Sequence, residues 1–463
     1  MAVFLNDVFM QKDKPTKVET VAVVNEHAAG IDVGSTSYYV AIGQEPDQVR
    51  EFGCYTSQIH ELCLWLKQNQ ITTVALESTG SYWKSLFILL EDYGLHPILV
   101  NGKYTKNVKG KKTDVLDCQW IQRLHTLGLL EGSFLPDVDT EKMRTYSRHR
   151  QGLVQNAADY IKKMQKALRL TNIRLDVVVS DITGKSGMLI IEAILKGERN
   201  PQVLASLADE RIRKSQQEII EALTGDWREE YLFELQQSYE LYCYLHDKIQ
   251  QCDLKMHHLL LKWVDQKESM EGNKRALYQR RKKKPYKNEL KMDVRSLFYR
   301  LSGGIDLAAI EGMGPNALLT LIAETGLDLK AFPSAKHFCS WLRLAPNNKI
   351  TGKKILSSKT IAGRNRLAEA LRHAANAIGR MKSGALNQFF KRIAYRKSRL
   401  AAITATARKL AVIIWNMLTY KQEYKPADQS EYMNRIRGTQ LKNLQRKIRQ
   451  LNVKPEELKF VIT

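Results

Sequence analysis

Ala28-Ala-Gly-Ile-Asp-Val33 is a short apolar run that ends in Gly34-Ser-Thr-Ser37. A second run, Ser37–Ile42, is rich in Tyr and Val and is close enough in sequence to pair with the first as a hairpin. Beyond it, helical spacing alternates with strand-like runs: helices over Ser57–Gln68, Tyr82–Tyr93 and Thr113–Leu127, and strands over Thr73–Leu76 and Pro97–Val100. Strands paired early and then alternating with helices predict an α/β domain with a mixed sheet.

Four carboxylates stand at the ends of these elements. Asp32 lies at the end of the first strand, and Glu77 follows a later strand. Asp114 and Asp117 are three residues apart and therefore share one helix face. Crowded acids repel each other unless a divalent cation neutralises them, and Mg²⁺ prefers oxygen ligands. The set predicts a Mg²⁺ site for phosphoryl transfer, with Mn²⁺ as a substitute, although each acid singly could be a turn former or a helix cap.

The charge of the chain indicates a polyanionic partner. Its 463 residues include 72 Lys and Arg against 49 Asp and Glu, a net charge of +23. This excess favours nucleic acid over a merely basic protein. Lysines next to the acidic centre are predicted to bring phosphates close to it: Lys103, Lys106, Lys109, Lys111 and Lys112.

The cysteines and the apolar segments bear on the compartment. Six cysteines without a Cys-x-x-Cys pair argue against a zinc ribbon or a disulfide framework. The first residues lack a secretory apolar region, and we find no uncharged run long enough to span a bilayer. We therefore expect a cytoplasmic, nucleoid-associated protein with no membrane partner.

The middle of the chain has the pattern of long helix from about Met143. A heptad seam with one polar member runs through Leu235, Ser238, Tyr242, Leu245, Ile249, Cys252, Met256 and Leu259. It predicts a coiled-coil pair or an antiparallel helical arm, with an ordinary amphipathic helix of a bundle as the plain alternative. In the charge run that follows, Arg281, Lys282 and Lys283 are expected to contact phosphate, unless the run is a solvated linker.

A helical domain is predicted from Leu307. Ile310-Glu-Gly-Met-Gly-Pro315, followed by the helical Asn316–Thr325, has the shape of a helix-hairpin-helix. Its glycines would let backbone N–H groups approach a phosphate. Leu367–Ile378 and Leu400–Leu418 are further amphipathic helices.

Two blocks of the chain resemble one known family. The first contains GIDVGST (30–36), ALESTGSYW (75–83) and VNGKYTKNVKGKKTDVLDCQW (100–120), and the second contains IEGMGPNALLTLIAETGLDLKAF (310–332) and LAPNNKITGKK (344–354). They resemble the RuvC-like domain and the second domain of the DEDD transposases of bacterial insertion sequences, the recombinases guided by a bridge RNA. The resemblance covers roughly Gly30–Leu130 and Leu307–Leu418, in the order of the family.

The resemblance implies a RuvC/RNase H-like α/β domain in which the four acids Asp32, Glu77, Asp114 and Asp117 bind Mg²⁺. It also implies target and donor double-stranded DNA, a structured guide RNA and a homo-oligomer, a dimer or a tetramer. In the family a serine of the second domain attacks a DNA phosphodiester and stays linked to it.

The position that matches this serine is Thr351. Threonine keeps the hydroxyl, but its β-methyl restricts χ1. Three alternatives follow: Thr351 attacks, Ser357 or Ser358 substitutes, or cleavage is impaired. Cations near Thr351 are predicted to stabilise the phosphate charge or to position nucleic acid: Lys353, Lys354, Lys359, Arg364 and Arg366.

The predicted division has five segments: a leader (1–27), the RuvC-like metal-binding domain (28–142), a helical, coiled-coil arm with the basic insertion (143–306), a mainly α transposase domain with the nucleophile loop (307–424) and a basic tail (425–463). The expected activity is Mg²⁺-dependent strand exchange through a covalent protein–DNA intermediate. The alternatives are a metal-dependent nuclease or junction resolvase that uses water, and a cleavage-impaired nucleic-acid-binding relative. A sugar-kinase-like ATPase is a further rival because of Gly30–Thr36, but no second phosphate loop follows.

Overall fold

The computed structural model of the protein describes residues 22–105, 113–271, 288–352, 354–425 and 429–451. The chain divides into two compact units, Met1–Leu135 and Pro136–Thr463. This division is coarser than the five predicted segments, whose finer boundaries stay predictions. Each unit is described by itself.

The first unit is an α/β domain. Its elements are β1 (Ala28–Val33), β2 (Ser37–Ala41), β3 (Val49–Gly53), α1 (Thr56–Gln68), β4 (Thr73–Glu77), α2 (Trp83–Asp92), β5 (His96–Val100), α3 (Gly102–Thr105) and α4 (Asp114–Thr126). The predicted strands and helices are present within one or two residues at their ends. Strand β3 is an addition to the prediction.

The sheet of the first unit has the strand order β3-β2-β1-β4-β5. β1 pairs antiparallel with β2, β2 pairs antiparallel with β3, and β1, β4 and β5 run parallel. One face of the sheet packs on α1 and α2 through a core that includes Ile31, Leu62, Leu76 and Leu90. The other face packs on α4. This is the mixed, RNase H-like sheet that the sequence predicted.

The second unit begins with a long helical arm. Its helices are α5 (Val138–Leu170), α6 (Leu175–Val178), α7 (Lys185–Leu195), α8 (Pro201–Ser206), α9 (Gln216–Ala222) and α10 (Glu229–Glu271). The two long helices are antiparallel, because Lys166 faces Glu234 at one end of the pair and Arg150 faces Asp253 further along. The short helices pack with them in a single hydrophobic core.

The heptad seam is the buried face of α10, and α5 of the same chain covers it. Of the predicted alternatives, the structure therefore contains the antiparallel helical arm. Near the end of the seam, Leu260 and Val264 are fully buried where the heptad repeat placed Leu259. This shift follows because a straight helix has 3.6 residues per turn and drifts away from a strict seven-residue repeat.

Buried ion pairs hold α5 in place. The Arg150 guanidinium binds both carboxylate oxygens of Asp253 and donates to the Asn288 carbonyl at 3.1 Å. Nearer its start, α5 binds Glu324 of the C-terminal helices through Arg148, at 2.7 and 3.0 Å, and Arg144 donates to the Glu324 carbonyl at 2.7 Å. The arm is thus joined to the C-terminal helices at its base.

The C-terminal part of the second unit is mainly helical. Its elements are α11 (Val294–Leu301), α12 (Pro315–Thr325), α13 (Ala335–Trp341), β6 (Lys349–Thr351), β7 (Lys354–Ser357), α14 (Arg366–Arg380), α15 (Ala385–Arg396), α16 (Arg399–Tyr420) and α17 (Gln429–Gln450). α16 packs against α13, α14 and α15. The predicted fold class, an α/β domain followed by long helices and a mainly α domain, is confirmed.

Among the described residues, one helix is long and apolar enough to cross a membrane by length and composition, namely α16. In the structure Leu410, Ile414 and Leu418 of this helix are buried against its neighbours. It is therefore the central helix of the C-terminal core.

Candidate metal centre and nucleophile hairpin

The parallel pairing of β1 and β4 brings two of the four predicted acids together. Ile31 is opposite Leu76 in this ladder, so Asp32 and Glu77 come next on neighbouring strands. Both apolar residues are fully buried, whereas both acids are partly exposed. Asp32 and Glu77 therefore stand side by side at the carboxyl end of the sheet.

Helix α4 brings the other two acids to the same end. The Gln122 side chain donates to the Ala28 carbonyl at 3.3 Å, and one turn earlier the Cys118 carbonyl lies against Gly30. The helix therefore runs antiparallel to β1, and its first turn lies towards the carboxyl end of the strand. That turn contains Asp114 and Asp117. Its start is fixed by Thr113, whose hydroxyl accepts from the Leu116 N–H at 3.3 Å.

The absent side chain of Gly30 makes this packing possible. A Cβ at this position would overlap the backbone nitrogen of Gln122 and the carbonyl oxygen of Cys118. These atoms belong to the α4 backbone and can give way only if the helix moves. The glycine in the first motif therefore sets how closely the acids of α4 approach the acids of the sheet.

The pKa shifts of two neighbouring side chains also indicate that three of the acids lie near one another. Burial, together with the nearby Asp32 and Asp117 carboxylates, raises the pKa of the Cys118 thiol to about 12. The pKa of Tyr39, the residue opposite Asp32 in the β1–β2 ladder, is raised chiefly by its hydrogen bond to Glu51, with a smaller contribution from Asp114. Asp32, Asp114 and Asp117 thus act on groups in one small region.

Glu77 is held by residues that follow β5. The Thr105 hydroxyl donates to Glu77 Oε2 at 2.6 Å, and the Thr105 side chain is buried. The Glu77 carboxylate also lies against Gly102, where any Cβ would overlap it. These two contacts orient the carboxylate, although sequence reasoning singled out neither residue. The available signal was their position, because Gly102 comes two residues after a strand that neighbours β4.

The donor set fits Mg²⁺ in kind, because carboxylate oxygens are the ligands that this ion prefers. Within the part of the chain that the structure describes, no three His, Cys, Asp or Glu side chains are grouped closely enough to ligate one ion. The four acids therefore share one end of the sheet without forming a common coordination sphere. Rotation of the exposed Asp114 side chain and of the partly exposed Asp117 side chain is the movement that would bring them nearer the strand acids.

The predicted nucleophile lies on a hairpin rather than on an irregular loop. β6 and β7 pair antiparallel, with Thr351 opposite Lys354. Thr351 is exposed and is followed by Gly352, whose φ of +56° makes the turn. The structure thus displays the Thr351 hydroxyl at the tip of a two-stranded element, beside a lysine. Ser357 lies at the other end of β7 and Ser358 follows it.

The predicted basic residues lie in four different places. Lys354, Lys359 and Arg364 are exposed around the hairpin, and Arg364 binds Glu369 at 3.3 Å. Arg366 donates to Gln151 of the arm and lines a cleft of about 470 Å³ between α5, α12 and α14. Lys103 lies in α3, and the remainder lie outside the described residues: Lys106, Lys109, Lys111, Lys112, Arg281, Lys282, Lys283 and Lys353.

The glycines of the helix-hairpin-helix segment have a packing role that the sequence did not indicate. Gly312 has a φ of +80°, and a Cβ there would overlap the Ala374 carbonyl and the Ile378 side chain. Its absent side chain therefore admits α14. Gly314 is the N-cap of α12 and faces open space.

Comparison with known proteins relates both units to transposases. A family model for the DEDD transposase domain of IS110 elements matches residues 29–173, and a model described as the transposase IS116/IS110/IS902 family matches residues 306–391. The first match contains all four acids, and the second contains the β6–β7 hairpin.

Individual relatives agree with the family models. A protein of Pseudomonas aeruginosa, named as a probable family 20 transposase, is 30% identical over 124 residues, which are 26% of this chain and 36% of that protein. The protein y4pF/y4sB of Sinorhizobium fredii, also named as a transposase, is 29% identical over 127 residues, which are 26% of this chain and 33% of that protein. The matches thus span about a third of the length of these relatives. With both family domains matched in order along one chain, the protein is similar to the IS110 family of transposases in both of its units.

Proposed function

We propose that the protein is a transposase that exchanges DNA strands through a covalent protein–DNA intermediate. The observation that carries the proposal is the convergence of four acids at the carboxyl end of the sheet, in a chain that also displays a hydroxyl on an exposed basic hairpin. Acids alone would support hydrolysis. The hydroxyl of Thr351 supplies a nucleophile that can retain the DNA.

Asp32, Glu77, Asp114 and Asp117 would hold Mg²⁺, with Mn²⁺ as a substitute. A bound divalent ion of this kind neutralises charge on the scissile phosphate and on the leaving oxygen. Thr105 and Gly102 keep the Glu77 carboxylate in one orientation, and Gly30 sets the distance between α4 and β1. These residues would hold the acidic side chains in position before substrate binds.

In the covalent step, the Thr351 oxygen forms a new bond to phosphorus and gives up its proton. The bond from phosphorus to one deoxyribose oxygen breaks, and that oxygen takes up a proton. One phosphodiester replaces another, so the link conserves the bond energy and can be reversed by an attacking DNA hydroxyl. Lys354, opposite Thr351 in the hairpin, carries a positive charge suited to the phosphate in this step.

We further propose that a structured RNA guides the choice of DNA and that the working form is a homo-oligomer, a dimer or a tetramer. The support for both is the likeness to the family together with the net charge of +23. Sequencing the RNA that copurifies with the protein tests the first point. An enriched structured RNA that matches DNA beside the gene is the expected result, and its absence contradicts guidance.

The test of the covalent step compares variants at Thr351. Full-length protein is incubated with Mg²⁺, copurified RNA and DNA from the ends of its element, and adducts that resist denaturant are counted on a gel. Thr351→Val keeps the shape and removes the hydroxyl, so we expect adduct to fall to background. Thr351→Ser removes the β-methyl, and we expect the yield to rise by roughly tenfold, since attack is sensitive to small displacements.

Four further samples complete the design. Ser357→Ala and Ser358→Ala should each form as much adduct as the wild type, whereas Asp117→Asn and removal of Mg²⁺ by a chelator should abolish both adduct and free cleavage products. Adduct that persists in Thr351→Val but disappears in Ser357→Ala or Ser358→Ala would move the nucleophile to that serine. Clean hydrolysis products without adduct would instead favour the metal-dependent nuclease that uses water.

A further inference from the structure

The β6–β7 hairpin exposes an apolar face next to the proposed nucleophile. Ile350 is opposite Ile355 in the ladder, and their side chains are 59% and 58% exposed. Leu356, the extra residue at the irregularity of the hairpin, is 63% exposed. Three large aliphatic residues thus lie in contact with solvent within a nine-residue hairpin, Lys349–Ser357.

The two faces of the hairpin differ in chemistry. Side chains alternate along a strand, so Thr351 and Lys354 point to the face opposite to Ile350 and Ile355. One face therefore offers a hydroxyl and a cation, and the other face offers aliphatic carbon. The base of the hairpin is fixed by the hydrogen bond from the Asn347 N–H to the Lys359 carbonyl at 3.0 Å and by the bridge between Pro346 and Thr360.

The exposed face needs a partner for a physical reason. A two-stranded hairpin is marginally stable alone, and natural proteins cover or charge strands of this kind. Within the described residues of the second unit, Ile350 and Ile355 do not belong to the buried core of any helix pair. Their exposed side chains are therefore available to a binding partner.

The positive charge around the hairpin indicates which class of binding partner fits this face. Residues 334–368 contain eight Lys and Arg and no Asp or Glu: Lys336, Arg343, Lys349, Lys353, Lys354, Lys359, Arg364 and Arg366. A protein surface complementary to this stretch would have to be strongly acidic. Nucleic acid offers phosphates for the cations and flat base surfaces for the aliphatic residues.

We propose that the Ile350–Ile355 face is an apolar wedge that packs on unstacked bases of DNA beside the bond to be cut. Aliphatic side chains inserted at base steps are a known means of separating stacked bases. Because Thr351 is next to Ile350 in the chain, seating the wedge on a base fixes the hydroxyl relative to the adjoining phosphate. The inference rests on the proposed function for its biological setting, but it concerns binding and needs no cleavage.

The experiment compares two labelled DNAs of the same length, one fully paired and one with a central run of mismatches, by fluorescence anisotropy with the full-length protein. Opened DNA exposes bases without the cost of unstacking, so we expect wild type to prefer it by roughly tenfold. In Ile350→Ser/Ile355→Ser the preference should fall to about twofold or less, while affinity for paired DNA stays within about twofold, since phosphate contacts carry that affinity.

Two controls keep the result interpretable. Leu254→Ser removes an aliphatic side chain of similar exposure (57%) from the arm and should retain the full preference. Lys354→Ala/Lys359→Ala should weaken binding to both DNAs by the same factor. Circular dichroism verifies that each variant is folded.

Retention of the preference in Ile350→Ser/Ile355→Ser would overturn the wedge. Loss of a protein dimer in that variant, with DNA preference unchanged, would also overturn it and assign the face to a second copy of the chain. Loss of the preference in a protein whose wild type forms no adduct would uphold the wedge while the proposed covalent step fails, so the two proposals are separable.

Discussion

Gly30 is the residue on which the geometry of the acidic site depends most directly. A Cβ on this residue would overlap backbone atoms of Gln122 and Cys118, so β1 and α4 approach each other more closely than any side chain would allow. The same glycine lies two residues before Asp32, and the helix that it admits carries Asp114 and Asp117. Both the packing of α4 on β1 and the arrangement of the acids therefore depend on Gly30.

Gly30→Ala is expected to destabilise the first unit by about 1–3 kcal/mol, because the new Cβ must displace backbone rather than a flexible side chain. Urea unfolding followed by circular dichroism measures the change. Gly132→Ala is the matched control, since its Cβ would make ordinary contact with Ile98 at 3.5 Å. Equal stability of the two variants would show that α4 does not pack on β1 as described.

His125 makes the stability of the first unit depend on pH. It is buried, its Nε2 lies 2.9 Å from the Thr73 hydroxyl, and burial lowers its pKa from the ordinary value of 6.5. The unfolded chain therefore binds a proton more readily than the folded one as the pH falls through 6.5. Stability conferred by the neutral ring is complete above this pH and is lost below it.

We expect the unfolding temperature of the first unit to decrease when the pH is lowered from about 7.5 to about 5.5. The substitution His125→Gln should reduce this pH dependence. Thermal unfolding at the two pH values, with wild type and variant in parallel, measures the difference. An identical pH slope in the variant would place the responsible group elsewhere.

Among the elements, α5 and α10 form the arm. The sequence predicted the apolar seam of α10, but it could not identify α5 as the helix that packs against this seam. The heptad spacing marks the buried face of α10, because burial follows helical periodicity. Which helix covers that face depends on the chain reversal through α6–α9, and no local pattern encodes it. The same limit applies to Thr105, whose bond to Glu77 exists only because β5 lies beside β4.

Other elements were harder to predict for local reasons. β3, Val49-Arg-Glu-Phe-Gly53, carries two charges on the outer strand of the sheet, and its pairing with β2 decides its conformation. The strands of the hairpin are only three and four residues long, and their residues are polar or exposed. By contrast, the acids of the candidate site were predictable because strand ends and a helix start are marked in the sequence, while their closeness depended on the register of β1 with β4.

The buried pair of Arg150 with Asp253 joins the two helices of the arm, and we expect Asp253→Ala to cost about 3–5 kcal/mol, because it leaves a buried guanidinium without its partner. Asp159→Ala is the control on α5, since its pair with Lys162 is exposed and should contribute less than about 1 kcal/mol. Thermal unfolding followed by helical ellipticity compares them. Similar losses in the two variants would contradict the structural role of the buried pair.

At the scale of the whole molecule, the charge of +23 is expected to dominate the proposed binding of nucleic acid. Each phosphate neutralised by Lys or Arg releases counterions, so affinity falls as salt rises. If six to ten phosphates are contacted, the affinity for duplex DNA should fall by about 10³–10⁵ between about 50 and about 200 mM salt.

The measurement is the dissociation constant over a salt series, with wild type and Lys354→Ala/Lys359→Ala compared. Removing two phosphate contacts should lower the slope of log affinity against log salt by about two. A slope unchanged by the double substitution would mean that these exposed lysines do not touch the backbone of the DNA.

Because the arm is anchored at its base, α5 sets a fixed distance between the C-terminal helices and the cluster of short helices. Arg144 binds the carbonyl of Glu324 in α12, and the cluster of short helices begins after Leu170. The intervening stretch of α5 rises about 40 Å at 1.5 Å per residue. One turn of B-form DNA rises about 34–36 Å. If the arm lies along DNA, groups at the two ends of this stretch would meet the same side of the duplex about one turn apart, and removing one helical turn from both α5 and α10 is expected to put them out of phase.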